Sequence, residues 1–161
     1  MRPLVLNATE LLRQPGTVRR IEKPVELDEL DVADDRLAGE VAIDLRLEST
    51  LDDIVVTGTL AVRWSDACRR CLRPLDDTLR IDVEERTEAV NGQLDLTALV
   101  RDELLLGPPD APLCRPDCPG LCPTCGADRT VDGPDRSCDC VTDTRDERWA
   151  VLDVLKDNID R

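Results

Sequence analysis

Apolar and polar side chains alternate most clearly between residues 40 and 88. In "EVAIDLRLES", Val41, Ile43, Leu45 and Leu47 are separated by Ala42, Asp44, Arg46 and Glu48. A period of two sends one row of side chains to a core and the other to water, so this stretch predicts a half-buried strand. "DIVVTGTLAVRW" repeats the period through Ile54, Val56, Gly58, Leu60, Val62 and Trp64, and the intervening "STLDD" is short enough for a hairpin. A third run, "LDDTLRIDVEERTE", alternates through Leu75, Leu79, Ile81 and Val83. The three predict an antiparallel meander, with Gly58 as a candidate bulge.

Elsewhere the period changes. "LDLTALVRDELLLGPP" spaces Leu96, Leu99, Val100 and Leu104 for one helical face, with Asp95 or Thr97 as a cap and Gly107-Pro108-Pro109 as a stop. Residues 7–15 read as a short helix capped by Asn7 or Thr9, "VRRIEKPVEL" as a strand, and the acidic "LDELDVADDRLAG" as a loop or frayed turn. At the far end Trp149, Leu152 and Leu155 form a stripe behind Asp143 and Asp146, which predicts a closing helix. Trp64 and Trp149, the two aromatic residues of a chain with no Phe and no Tyr, are expected in the core.

Residues 110–142 carry no such pattern. They hold five prolines, few bulky apolar side chains and six cysteines, so hydrophobic burial cannot offset the entropy of ordering them. "CPTCG" is the kind of turn that brings two thiolates onto one ion, and Cys122, Cys125, Cys138 and Cys140 are assigned to one structural zinc (Zn2+). An iron–sulfur cluster, disulfides or free thiols are the other readings of the same four. Cys68 and Cys71 in "ACRRCL", with Cys114 and Cys118 in "CRPDC", form a weaker second set. "CRRC" reads equally as two unpaired thiols at a strand end, and Cys118 lies near enough in sequence to replace Cys122. Arg69, Arg70, Arg73, Arg115 and Arg129 are placed to soften the charge of four-thiolate centres.

The 161 residues carry 35 acidic against 21 basic side chains, a formal charge of −14. Such a molecule has little general attraction for nucleic acid or an anionic membrane, and its natural counterpart is basic. Residues 24–60 hold eleven acids against Arg36 and Arg46, which makes them the expected contact surface. A solvated turn is the plain reading of Arg69, Arg70 and Arg73; a local contact to phosphate is the functional one. There is no histidine and no phosphate-cradling glycine loop, and a closed four-thiolate centre has no position for water, so a non-catalytic protein is expected. Without a signal-peptide core or eighteen consecutive apolar residues, the expected location is the cytoplasm, where thiols stay reduced.

"CRRCL" after a hairpin, then "VRDELLLGPP", then "LCRPDCPGLCPTCGADRTVDGPDRSCDC" and a last helix near "DERWAVL" together resemble the long, cysteine-rich form of the YceD family, the large ribosomal RNA subunit accumulation proteins. The resemblance runs from about residue 10 to the end. It implies a bacterial cytoplasmic protein that supports accumulation of large-subunit ribosomal RNA, with no catalytic activity attached. Joined to the charge, it points to a basic ribosomal protein or assembly factor as partner, with ribosomal RNA reached indirectly. An adaptor for an unrelated basic protein and a cysteine-based redox sensor are the other classes. The expected architecture is α+β: an antiparallel sheet domain over residues 1–110, a zinc-binding cysteine-rich segment over 111–142, and a helix over 143–161 packing on the domain.

Overall fold

The computed structural model describes residues 4–51, 53–130, 138 and 140. In chain order the elements are β1 (Val5–Asn7), α1 (Thr9–Arg13), β2 (Val18–Glu26), a 3-10 turn (Leu27–Leu30), β3 (Leu37–Ser49), β4 (Ile54–Ala67), β5 (Pro74–Thr87), β6 (Gln93–Asp95) and α2 (Thr97–Leu106). The long strands make one four-stranded antiparallel sheet in the order β2-β3-β4-β5, and β1 pairs with β6 in a second, two-stranded one. The α+β class and the meander expected from the alternation are therefore present. The closing helix, with Trp149, lies outside the described residues.

The alternation becomes burial. Val41, Ile43, Leu45 and Leu47 of β3 and Ile54, Val56, Leu60 and Val62 of β4 are all buried. The register pairs Ile43 with Leu60 and Leu47 with Val56, which stacks one inward row on the next. Val100 and Leu104 of α2, with Leu96 just before it, join the same core. The Asp95 carboxylate accepts the Thr97 backbone N–H at 2.9 Å in a turn just ahead of α2, but the N-cap itself is Leu96 and takes no side-chain cap bond, so neither Asp95 nor Thr97 is the cap expected from the sequence. Across the outer face Arg20 grips Asp44 at 2.6 Å, an exposed pair that adds little stability.

Three local expectations change. The irregularity in the β3–β4 pairing falls between Ala38 and Ala42, not at Gly58. Gly58 is required for another reason: its φ is +148°, and a Cβ there would run into the Asp44 carbonyl oxygen and lie 2.9 Å from Leu45 Cα. The stretch read as an acidic loop contains the 3-10 turn and the start of β3, and it buries Leu27, Leu30, Val32 and Leu37 between its acids. β1 and β6 are three residues each, too short to show a period, yet Leu94 within β6 and Leu4 just before β1 are fully buried.

The end of the sheet where β4 passes to β5 matters most for function. Residues 68–73 close that hairpin, and the chain leaving α2 returns to pack against it. Among the described residues no helix is long and apolar enough to cross a membrane.

Candidate metal centres

The eight thiols fall into two sets of four, Cys68/Cys71/Cys114/Cys118 and Cys122/Cys125/Cys138/Cys140, each with its sulfurs within 4.8 Å of one another. A tetrahedron with metal–sulfur bonds of about 2.3 Å has edges of roughly 3.8 Å. In the first set Cys68 Sγ lies 3.8 Å from Cys118 Sγ and Cys71 Sγ 3.7 Å from Cys114 Sγ, close to that edge and far beyond a covalent bond. All eight cysteines are free.

The two Cys-x-x-Cys turns are built alike. In the first, Leu72 N–H donates to the Cys68 carbonyl and Cys68 N–H to the Arg73 carbonyl, both at 2.8 Å. In the second, Gly126 N–H donates to the Cys122 carbonyl and Cys122 N–H to the Ala127 carbonyl, again at 2.8 Å. The residue after the second cysteine is left-handed in each, φ +59° at Leu72 and +74° at Gly126. Glycine adopts that conformation freely, whereas leucine resists it by about 1 kcal/mol. "CRRCL" thus reaches the geometry of "CPTCG" without the glycine that makes the second turn recognisable in sequence.

The surroundings differ. Cys68, Cys71 and Cys118 are buried and form a small apolar cluster of their own with Leu75 and Cys114 packed on it. In the other set Cys122 is buried, Cys138 and Cys140 are half-buried and Cys125 is exposed. Arg129 leans over this second set, its Nη2 3.4 Å from Cys122 Sγ and 3.8 Å from Cys138 Sγ, so one of the arginines expected to soften thiolate charge does meet the sulfurs.

Each set divides its protons unequally. Burial pushes the Cys68 thiol up, but backbone N–H groups of Cys114, Cys71 and Arg70 outweigh it and bring the pKa to about 6. The Cys125 N–H, the Cys138 thiol and the Thr124 N–H hold Cys122 at about 6. Burial, then the neighbouring thiols, push Cys114 up to about 12; the Cys125 thiol, then burial, push Cys140 up to about 12. Four thiolates this close cannot ionise together unless a cation sits among them. The donor set is thus that of a closed centre for a soft or borderline divalent ion, with all four positions taken by sulfur.

Two arginines of the first turn reach the returning chain, although Arg69, Arg70 and Arg73 are all exposed. Arg70 Nη1 donates to the Cys118 carbonyl at 2.9 Å, and Arg73 Nη2 donates to Thr130 Oγ1 at 2.9 Å. The turn's backbone adds Arg69 N–H to the Pro112 carbonyl at 2.9 Å and accepts Leu121 N–H at the Arg70 carbonyl at 3.0 Å. Gly120, at φ +72°, lets the chain approach, since a Cβ there would lie 2.8 Å from the Arg70 carbonyl oxygen. These contacts cross the boundary drawn at residue 110 and tie the cysteine-rich segment to the sheet. The sequence held one signal of this, the matched composition of "CRRC" and "CRPDC"; the hydrogen bonds of Arg70 and Arg73 to the returning chain had none.

A family model described as "Large ribosomal RNA subunit accumulation protein YceD" matches residues 84–156. Uncharacterized proteins of Mycobacterium tuberculosis and Mycobacterium bovis are each 30% identical over 171 residues, covering 93% of this chain and 80% of the relative. An uncharacterized protein of Mycobacterium leprae is 29% identical over 150 residues, 81% of this chain and 69% of its own. The chain belongs to the YceD family. No solved structure matches it. The YceD match takes in α2 and the six cysteines from Cys114 to Cys140, and it leaves out Cys68 and Cys71. The buried set of four is therefore assembled half from within the matched YceD region and half from the preceding hairpin. The family's description ties it to the accumulation of large-subunit ribosomal RNA.

Proposed function

We propose that this YceD-family chain is a non-catalytic cytoplasmic factor of large ribosomal subunit assembly, stapled by two structural Zn2+ ions, that sustains ribosomal RNA accumulation through a basic protein partner. The observation that carries the reading is the pair of closed four-thiol sets in a chain of that family. Sulfurs within 4.8 Å of one another in both sets, with edges of 3.7 and 3.8 Å in the first, suit one ion, whereas an iron–sulfur cluster would hold several atoms inside the set and spread the sulfurs. Eight thiolates and two Zn2+ ions would deepen the formal charge of −14 by about four more negative charges. Phosphate is repelled by such a molecule, and a lysine- and arginine-rich protein is drawn to it, less so as salt rises. Arg70 and Arg73 are exposed and each is hydrogen-bonded to the returning chain, so the ground for ribosomal RNA being reached indirectly is the charge of the whole molecule.

Deletion of the gene, with the ratio of large- to small-subunit ribosomal RNA as readout, tests the role. The ratio is expected to fall and to recover with the unaltered chain; an unchanged ratio would move the protein to the class of adaptors for an unrelated basic partner. Elemental analysis of protein purified under reducing conditions tests the metal, with about two equivalents of zinc expected. A redox sensor is the second reading, favoured by the exposure of Cys125. It requires thiols that oxidise reversibly in protein that holds no metal.

A further inference from the structure

A cleft of about 640 Å³ opens beside the buried thiol set. Its floor is Trp64 and Leu75, from β4 and β5, and its far wall is the proline-rich strap that runs from α2 to Cys114, including Pro109, Pro112 and Pro116. Volumes of this size are ordinary for ligand sites. Asp76 and Asp77 stand on its β5 side. Asp110 is exposed on the strap between two lining residues. Arg63 lies 3.2 Å from Asp76 in a pair whose members are 71% and 65% exposed, and such a pair yields easily to another cation; Arg36, paired with Asp34, is also within electrostatic reach of Asp110. Asp77 accepts a hydrogen bond from the Thr78 N–H at 2.7 Å.

The floor adds an independent feature. Trp64 is only 8% exposed, yet its indole N–H has no acceptor among the described residues. Buried indole N–H groups nearly always find one. That N–H is itself shut from the surface, so what the cleft presents is an apolar floor bordered by carboxylates, complementary to an extended peptide that brings an apolar side chain and flanking cations.

We propose that this cleft docks an extended, basic segment of a protein partner, with one apolar side chain on Trp64 and Leu75 and a lysine or arginine on Asp76 and Asp77. The proposal rests on the assembly reading in giving the basic partner a place to bind, and it shifts that place from the acidic 24–60 surface to the hairpin end. Cys114 lines the cleft, so the strap's position depends on the buried thiol set.

The test uses the full-length, 15N-labelled chain carrying Trp149→Phe, which leaves Trp64 as the sole indole resonance. Titration with the probe Ac-Lys-Lys-Leu-Lys-Lys-amide is expected to move that resonance saturably, with a Kd at or below about 1 mM. Ac-Glu-Glu-Leu-Glu-Glu-amide is expected to leave it still. The double change Asp76→Lys and Asp77→Lys, both at exposed positions, should weaken the basic peptide by about tenfold or more. Leu113→Ser, at the rim, gives a second variant with the charges intact and should weaken it less. No shift with the basic peptide, equal shifts with both peptides, or undiminished affinity in the charge-reversed chain would each overturn the proposal. So would a Trp64 shift that follows protein concentration without peptide, which would make a second copy the occupant, or one produced instead by an RNA oligonucleotide. A chain that sustains ribosomal RNA yet shows no peptide shift removes the cleft alone; a peptide shift in a chain whose deletion leaves that RNA unchanged upholds the cleft and removes the assembly reading.

Discussion

The two thiol sets share a turn geometry and differ in what surrounds them. Cys68 and Cys71 sit at the end of a hairpin of fourteen-residue strands, and their partners Cys114 and Cys118 are carried to them by a strap hydrogen-bonded to that turn. Cys122 and Cys125 sit on a turn of the cysteine-rich segment itself, with Cys125 in water. The same four-sulfur chemistry is thus a joint between sheet and segment in one place and a clasp within the segment in the other. A ligand lost from the joint should release chain that the clasp cannot hold, whereas a ligand lost from the clasp should leave the joint closed.

The largest effect expected is the contrast between Cys118→Ser and Cys125→Ser. Cys118 is 1% exposed, and its loss leaves three thiols in a buried set that also positions the strap. The stability cost at Cys118 should be about 3 kcal/mol or more, with hydrogen-exchange protection lost across residues 109–130 and at the hairpin end. Cys125→Ser should lose zinc from its own set and leave the sheet's protection unchanged. Equal destabilisation by the two would show that the sets form one unit and erase the distinction.

A smaller effect is expected at the latch. Arg73→Met removes the hydrogen bond to Thr130, whose residue is only 9% exposed, while keeping the aliphatic stem. The cost should be about 1 kcal/mol in urea unfolding, with large-subunit RNA still accumulating in cells that carry the variant. A normal fold combined with lost RNA accumulation would assign Arg73 a direct role in contacting RNA and break the account of it as a structural tie.

The smallest effects compare the two turns directly. Gly126→Ala meets no atom within 4 Å, so its cost is the left-handed backbone alone, about 1 kcal/mol. Leu72→Asn should change stability in the opposite direction by somewhat less than about 1 kcal/mol, because asparagine tolerates φ > 0 and the leucine side chain is 65% exposed. Paired thermal melts of the zinc-loaded variants check both signs. Destabilisation by Leu72→Asn would mean that the side chain packs on something that the turn comparison omits.

The sequence by itself determined the sheet and the kind of side chain available to hold an ion. A strict period of two over Val41–Leu47 and Ile54–Trp64 leaves one way to bury an apolar row, and antiparallel pairing across a short connection follows. Eight cysteines without histidine, six of them where little apolar mass exists, likewise point to sulfur ligation, because nothing else there can order the chain. The tertiary structure decided what depends on contacts between residues far apart in sequence. β1 and β6 are too short to carry a period and exist because each supplies the other's hydrogen bonds. Gly58 looks in sequence like a bulge and is instead the place where the β3 backbone comes too near for a Cβ. Leu72 enters a glycine conformation because the flanking strands and the Cys68 carbonyl fix the turn. Arg70 and Arg73 read along the chain as a basic surface, and only the return of residues 112–130 gives them a carbonyl and a hydroxyl to hold. Local periodicity fixes which face of an element is apolar, but a partner more than forty residues away is chosen by packing, and no local pattern records it.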